Sequence, residues 1–155
     1  MAVLENQTLE MENVLSFRAK MNKNDLAFRA KEIDRLLENN DAHKNGPSVT
    51  ATFSVEQSAY GPLMDIELLV PIDKKIDVPD GYKFKERFYL TNALKIKHVG
   101  DLSKMQNTAR ELNEYISSNK LVPISTGYNV TLNEPKSPIE TAEVDIYISV
   151  SPNRL

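Results

Sequence analysis

Residues 65–72 read DIELLVPI, and residues 143–150, EVDIYISV, nearly repeat them. The aligned pairs are Asp65/Glu143, Ile66/Val144, Glu67/Asp145, Leu68/Ile146, Leu69/Tyr147, Val70/Ile148, Pro71/Ser149 and Ile72/Val150. None is identical, yet six keep their chemical type at a constant offset of 78 residues (143 − 65). A rival offset of 80 matches Asp65-Ile66 to Asp145-Ile146. Both offsets are even, and strand side chains alternate with a period of two, so either assigns the same faces. Ile66, Leu68, Val70 and Ile72 share one face, with Asp65, Glu67 and Leu69 on the other. In the later strand Val144, Ile146, Ile148 and Val150 pack inward, while Glu143, Asp145, Tyr147 and Ser149 point outward.

Working outward from these strands, each half of the chain reads as strand, helix, strand, strand. In the first half Leu15, Phe17, Ala19 and Met21 alternate with polar residues, as a half-buried strand does. Leu26, Ala30, Ile33 and Leu37 then recur at helical spacing, with Asn22 or Asn24 as N-cap and Gly46-Pro47 as the stop. Val49, Ala51, Phe53 and Val55 alternate next, and a turn at Ser58–Pro62 leads into DIELLVPI. In the second half Phe88, Leu90, Leu94 and Ile96 mark a strand interrupted at Asn92. Asp101 caps a helix with an apolar row of Met105, Ala109, Leu112 and Ile116. Ile124, Tyr128, Val130 and Leu132 precede EVDIYISV.

The expected fold class is therefore α+β, with duplicated strand-helix-strand-strand units. Their antiparallel sheet carries two helices on one face and an open groove on the other. One domain over residues 1–155 is expected, with pseudo-repeats at about 12–72 and 88–152 and a connector at 73–87.

Composition excludes several function classes. The net charge of −3 argues against a general nucleic-acid binder, whose binding face is basic. The absence of cysteine removes thiolate catalysis, disulfides and Cys-ligated metals. No apolar run approaches a membrane span or a secretion signal, so a cytoplasmic location is expected and the Asn6 and Asn129 sequons are chance matches. No Walker loop, serine elbow or paired-histidine helix is present. No catalytic residue, cofactor or metal is expected.

The outward acids have two readings. Glu67 and Asp145 either contact a ligand in the groove or pair with Arg18, Lys20, Lys95 and Lys97 on an exposed sheet face. His98 sits with Leu94 and Ile96 on the inward face and reads as a structural histidine. Tyr147 points into the groove, Tyr128 joins the apolar row, and Tyr60, Tyr82 and Tyr89 are rim candidates.

Several motifs together resemble the GyrI-like domains, also called bacterial transcription-activator effector-binding domains. Leu132-Asn133-Glu134-Pro135 leads through a proline-rich loop to Asp145-Ile146-Tyr147-Ile148, matching that family's closing turn and acid-apolar-aromatic-apolar strand. His98-Val99-Gly100 resembles its His-x-Gly junction, and Glu67–Pro71 its first acid-to-proline strand. The resemblance spans roughly residues 12–152 and extends to stand-alone members in Firmicutes. It implies a ligand cleft between the halves, with the pocket acid at Asp145. The chain departs from the pattern in its shorter acid, its lack of tryptophan, and Ser149 where proline is usual. The implied function is a module that binds a small organic ligand, a cation among the candidates, through Glu67, Asp145, Tyr147, Leu69 and Glu143. The alternative is a protein-interaction module with a gyrase-inhibitor-like or secretion-accessory role.

Overall fold

The computed structural model describes residues 2–133 and 141–153. Glu134 and Pro135 of the expected closing turn lie outside the described residues. The elements are β1 (Leu4–Met21), α1 (Lys23–Asn39), β2 (Val49–Ser58), β3 (Gly61–Pro71), β4 (Tyr82–Gly100), α2 (Met105–Ser118), β5 (Tyr128–Asn133) and β6 (Ala142–Ser149). A single 3-10 turn, Leu102–Lys104, precedes α2. The chain divides into two compact units, Met11–Phe88 and Met1–Glu10 with Tyr89–Leu155. β1 begins well before the expected strand, and β4 takes in residues 82–87 that the sequence reading assigned to the connector.

In the first unit β3 lies between β1 and β2, antiparallel to both. In the second, β6 lies between β4 and β5 in the same manner. Both units are the expected strand-helix-strand-strand arrangement. Each packs its helix on the predicted inward face. Ile66, Leu68, Val70 and Ile72 join Leu15, Phe17 and Met21 against Ile33 and Leu37 of α1. Val144, Ile146 and Val150 join Leu94 and Ile96 against Leu112 and Ile116 of α2. Burying each such side chain contributes about 1.5–3 kcal/mol, which makes this face the main source of cohesion in each unit.

Local features repeat at a spacing between the two expected offsets. Asn13 and Asn92, 79 residues apart (92 − 13), both adopt a left-handed backbone, with φ of 52° and 49°. Each carbonyl accepts from the residue just after its unit's last strand, Ile72 N–H at 2.8 Å and Val150 N–H at 3.1 Å. Strand register also decides between the two offsets: Arg18 lies opposite Glu67, and Lys97 lies opposite Asp145. Glu67 and Asp145 are thus equivalent, at the offset of 78 (145 − 67).

Two expectations change in β2 and β5, one through a bulge and one through strand register. The register of β2 shifts between Thr52 and Ser54, and that of β5 between Thr131 and Asn133. Phe53 and Leu132 are therefore bulge residues, and an extra residue reverses the facing of everything beyond it. The alternation through Val49 and Ala51 does not continue to Phe53 and Val55. In β5, Tyr128 lies opposite Tyr147, and directly opposed residues share a face, so both tyrosines lie on the Asp145 side.

At the helix N-termini one expected cap stands and the other shifts by a turn, while the C-termini differ from expectation. Asn22 caps α1 through a reciprocal box with Asp25, its side chain accepting from Asp25 N–H at 2.9 Å. Asp101 accepts from Ser103 N–H at 2.9 Å and so caps the 3-10 turn before α2. Neither helix waits for a glycine to stop. Asp41 and Lys120 take left-handed conformations, with φ of 52° and 55°. Ala42 N–H then reaches Leu37 O at 2.9 Å, and Leu121 N–H reaches Ile116 O at 3.0 Å. This closure is normally built on glycine, because a Cβ crowds the left-handed backbone by about 1–2 kcal/mol. Lys120→Gly is expected to raise stability by about 0.5–1 kcal/mol and Lys120→Val to lower it, read from urea unfolding midpoints at unchanged slope.

Candidate functional site

Glu67 sits in the middle of β3, on the face away from α1, and is only 8% exposed. Its carboxylate Oε2 accepts from Ser16 Oγ at 2.6 Å and from Lys85 Nζ at 2.8 Å. One turn of the pleat away, Arg18 forks onto Asp65, Nε to Oδ1 at 3.1 Å and Nη2 to Oδ2 at 3.0 Å. The Arg18 guanidinium also lies 3.7 Å above the Phe53 ring, so the bulge residue supports it. Lys20, expected to answer the strand acids, instead bonds Glu56 at 2.9 Å. The β2 bulge turns Glu56 toward that face.

These groups set the charge states. Burial pushes Glu67 up, but the Lys85 and Ser16 hydrogen bonds and the nearby Arg18 charge outweigh it and leave the carboxyl below its ordinary value of 4.5. The Arg18 hydrogen bond holds Asp65 below its ordinary value, against a smaller opposing effect of burial. Both acids are anions at neutral pH. Together with Ser16, Ala19, Gly81 and Lys83 they line a cavity of about 540 Å³ within the first unit.

The equivalent position in the second unit carries different neighbours. Asp145 is 4% exposed. Where the first unit has Ser16 and Arg18, this one has Lys95 and Lys97, with Nζ atoms 3.4 Å from Oδ2 and 3.5 Å from Oδ1. Asp145 Oδ1 has no hydrogen-bond partner among the described residues. Lys97 is shared, lying 3.9 Å from Glu143 as well. Lys95 Nζ stands 5.6 Å from the Tyr147 ring centroid. Burial pushes this ammonium down, but Asp145 and Tyr147 outweigh it and hold Lys95 above its ordinary value.

The remaining candidates scatter. Leu69 is fully buried opposite Ser16 and does not line the cavity, while Glu143 is partly exposed. Tyr82 is no rim residue: it packs 4.9 Å from Phe17 and donates to Glu32 at 2.6 Å. Burial and Glu32 push its phenol up to about 12. Tyr60 and Tyr89 are exposed. His98 is buried and satisfied. Its Nε2 donates to the Asp101 carbonyl at 2.9 Å, and its Nδ1 is hydrogen-bonded to Thr108 Oγ1 at 2.7 Å. No cluster of three or more His, Asp or Glu side chains among the described residues can hold a metal. No helix among them is long and apolar enough to cross a membrane.

Sequence reading missed Ser16, Gly81, Lys83 and Lys85. The signal was there in YKFKERF, residues 82–88. Tyr82 and Phe84 alternate with Lys83 and Lys85, so the first pair faces the core and the second the cavity.

Linkage gives the sign of the pH effect at Glu67. Its folded pKa lies below the unfolded value, so the associated stability is fully present above pH 4.5 and is lost as pH falls through the folded pKa. Urea unfolding of Glu67→Gln is expected to show a shallower loss over that acid window than the unmodified chain. Lys85→Met, which leaves the buried carboxylate with Ser16 alone, is expected to cost about 1–3 kcal/mol at pH 7 in the same measurement.

No protein-family model matches the chain, and no curated protein matches it. Solved structures do. The EcmrR C-terminal domain superposes with a TM-score of 0.74 at 12% identity, over 97% of this chain and 99% of that one. In the EcmrR–DNA complex the match has a TM-score of 0.75 at 13% identity and covers 96% of this chain, which spans 57% of that longer one. A hydrolase from Listeria innocua matches with a TM-score of 0.61 at 13% identity, over 97% and 91% of the two chains. SAV2435 bound to tetraphenylphosphonium matches with a TM-score of 0.51 at 11% identity, over 96% and 95%. The chain shares its fold with the EcmrR C-terminal domain.

Proposed function

We propose that the chain is an effector-binding-type module that holds a small organic cation against Asp145 and Tyr147. The observation that carries this reading is the buried Asp145 Oδ1 without a hydrogen bond. A buried carboxylate oxygen with no donor costs free energy that a ligand cation can recover. Lys97 is the movable cover. Held loosely between Glu143 and Asp145, it can stay with Glu143 while a ligand ammonium or phosphonium takes its place at Oδ1. Tyr147 then supplies a π face to the cation and apolar area to its substituents. Glu67 lies in the other unit, where its Oε2 already receives two donors.

Two comparisons support the reading. The fold is that of effector-binding domains, and one solved structure of similar fold is bound to the cation tetraphenylphosphonium. Tetraphenylphosphonium chloride is expected to raise the thermal midpoint of the unmodified chain in a saturable way, by an amount equivalent to about 2.7 kcal/mol at a hundredfold excess over Kd. Asp145→Asn keeps the side-chain shape and removes the charge, so it should abolish most of that shift. Equal shifts in both proteins, or none in the unmodified chain, would overturn the proposal.

A further inference from the structure

We propose that the cavity of the first unit is a separate binding site, one for a small organic oxyanion, either a carboxylate or a phosphate ester. Period two puts Ser16, Arg18 and Lys20 of β1 on one face, as it does Asp65 and Glu67 of β3 and Gly81, Lys83 and Lys85 around the start of β4. All of them line the same space, whose volume of about 540 Å³ suits a metabolite-sized ligand. The lining holds four cationic side chains against two carboxylates.

What matters for a ligand is which groups still have bonding capacity. Both carboxylates are engaged, Asp65 by the Arg18 fork and Glu67 by Ser16 and Lys85. A ligand cation entering here would meet four cationic side chains, with both oxygens of Asp65 and Oε2 of Glu67 already accepting. Donors remain. An ammonium has three N–H groups, and the structure uses one on Lys85, for Glu67. Lys83 is exposed and has no ion pair or hydrogen bond among the described residues. It precedes Lys85 by two residues on the same strand face, so an oxyanion can accept from both.

Glu67 acts here as a positioning residue. Its buried carboxylate fixes the Lys85 ammonium at the inner wall of the cavity, leaving the other two N–H groups for a ligand. The charge preference is opposite to the one proposed for Asp145, and the two sites lie in different units. Either can fail without the other.

Calorimetric titration of the full chain, in chloride buffer at fixed ionic strength, tests the inference with citrate and inorganic phosphate as probes. At least one is expected to bind saturably, and the tighter probe distinguishes a carboxylate ligand from a phosphate ester. Lys83→Gln changes an exposed side chain and should fold normally, yet weaken that binding on the order of tenfold. Asp145→Asn should leave oxyanion binding intact while abolishing the tetraphenylphosphonium response. Saturable binding by neither probe, or equal affinity in Lys83→Gln, would overturn the inference.

Discussion

β3 and β6 are each hydrogen-bonded on both edges, and each carries acids in its middle. That pairing is the constraint from which the rest of the structure follows. A strand held on both sides cannot turn its polar residues to an open edge. Its apolar face is closed by a helix, and the opposite face is also buried at Val49, Ala51, Glu67 and Leu69 in one unit and at Tyr128, Val130, Asp145 and Tyr147 in the other. Carboxylates in such a position need partners, because a buried, unpaired charge is among the costliest features a fold can contain. Ser16, Lys85, Lys95 and Lys97 meet that requirement.

The two units answer the same requirement differently. Ser16, Arg18 and Leu69 of the first become Lys95, Lys97 and Tyr147 in the second, at equivalent places in the register. In the first unit a hydroxyl from β1 and an ammonium from β4 converge on a single carboxylate oxygen. In the second, two ammoniums flank Asp145, and one oxygen is left without a hydrogen bond. The backbone devices, meanwhile, are unchanged. Left-handed residues stand at Asn13 and Asn92 and again at Asp41 and Lys120, and β2 and β5 each carry a bulge. Duplication kept the geometry and let the chemistry of the acid face diverge.

Bulges matter more to the site than their size suggests. One extra residue at Phe53 places its ring beneath Arg18 and turns Glu56 toward Lys20. Lys20 is thereby drawn from Asp65, which Arg18 takes instead. The ion-pair pattern of the acid face thus depends on a backbone irregularity in the neighbouring strand.

Much of this was legible in the amino-acid order. Period two assigned the faces of β3 and β6, helical spacing located α1 and α2, and the echo between residues 65–72 and 143–150 revealed the duplication and singled out Glu67 and Asp145. Those signals are local, and each strand or helix repeats them several times over. Tertiary structure alone decided the register that puts Tyr128 opposite Tyr147, the bulges of β2 and β5, the burial of the acid face, and the convergence of Ser16 and Lys85 on Glu67 across 51 and 18 residues of chain. The reason is physical. Register and ion pairing join segments distant in sequence, and one inserted residue in a ladder redirects every side chain beyond it without altering the composition that a local reading sees.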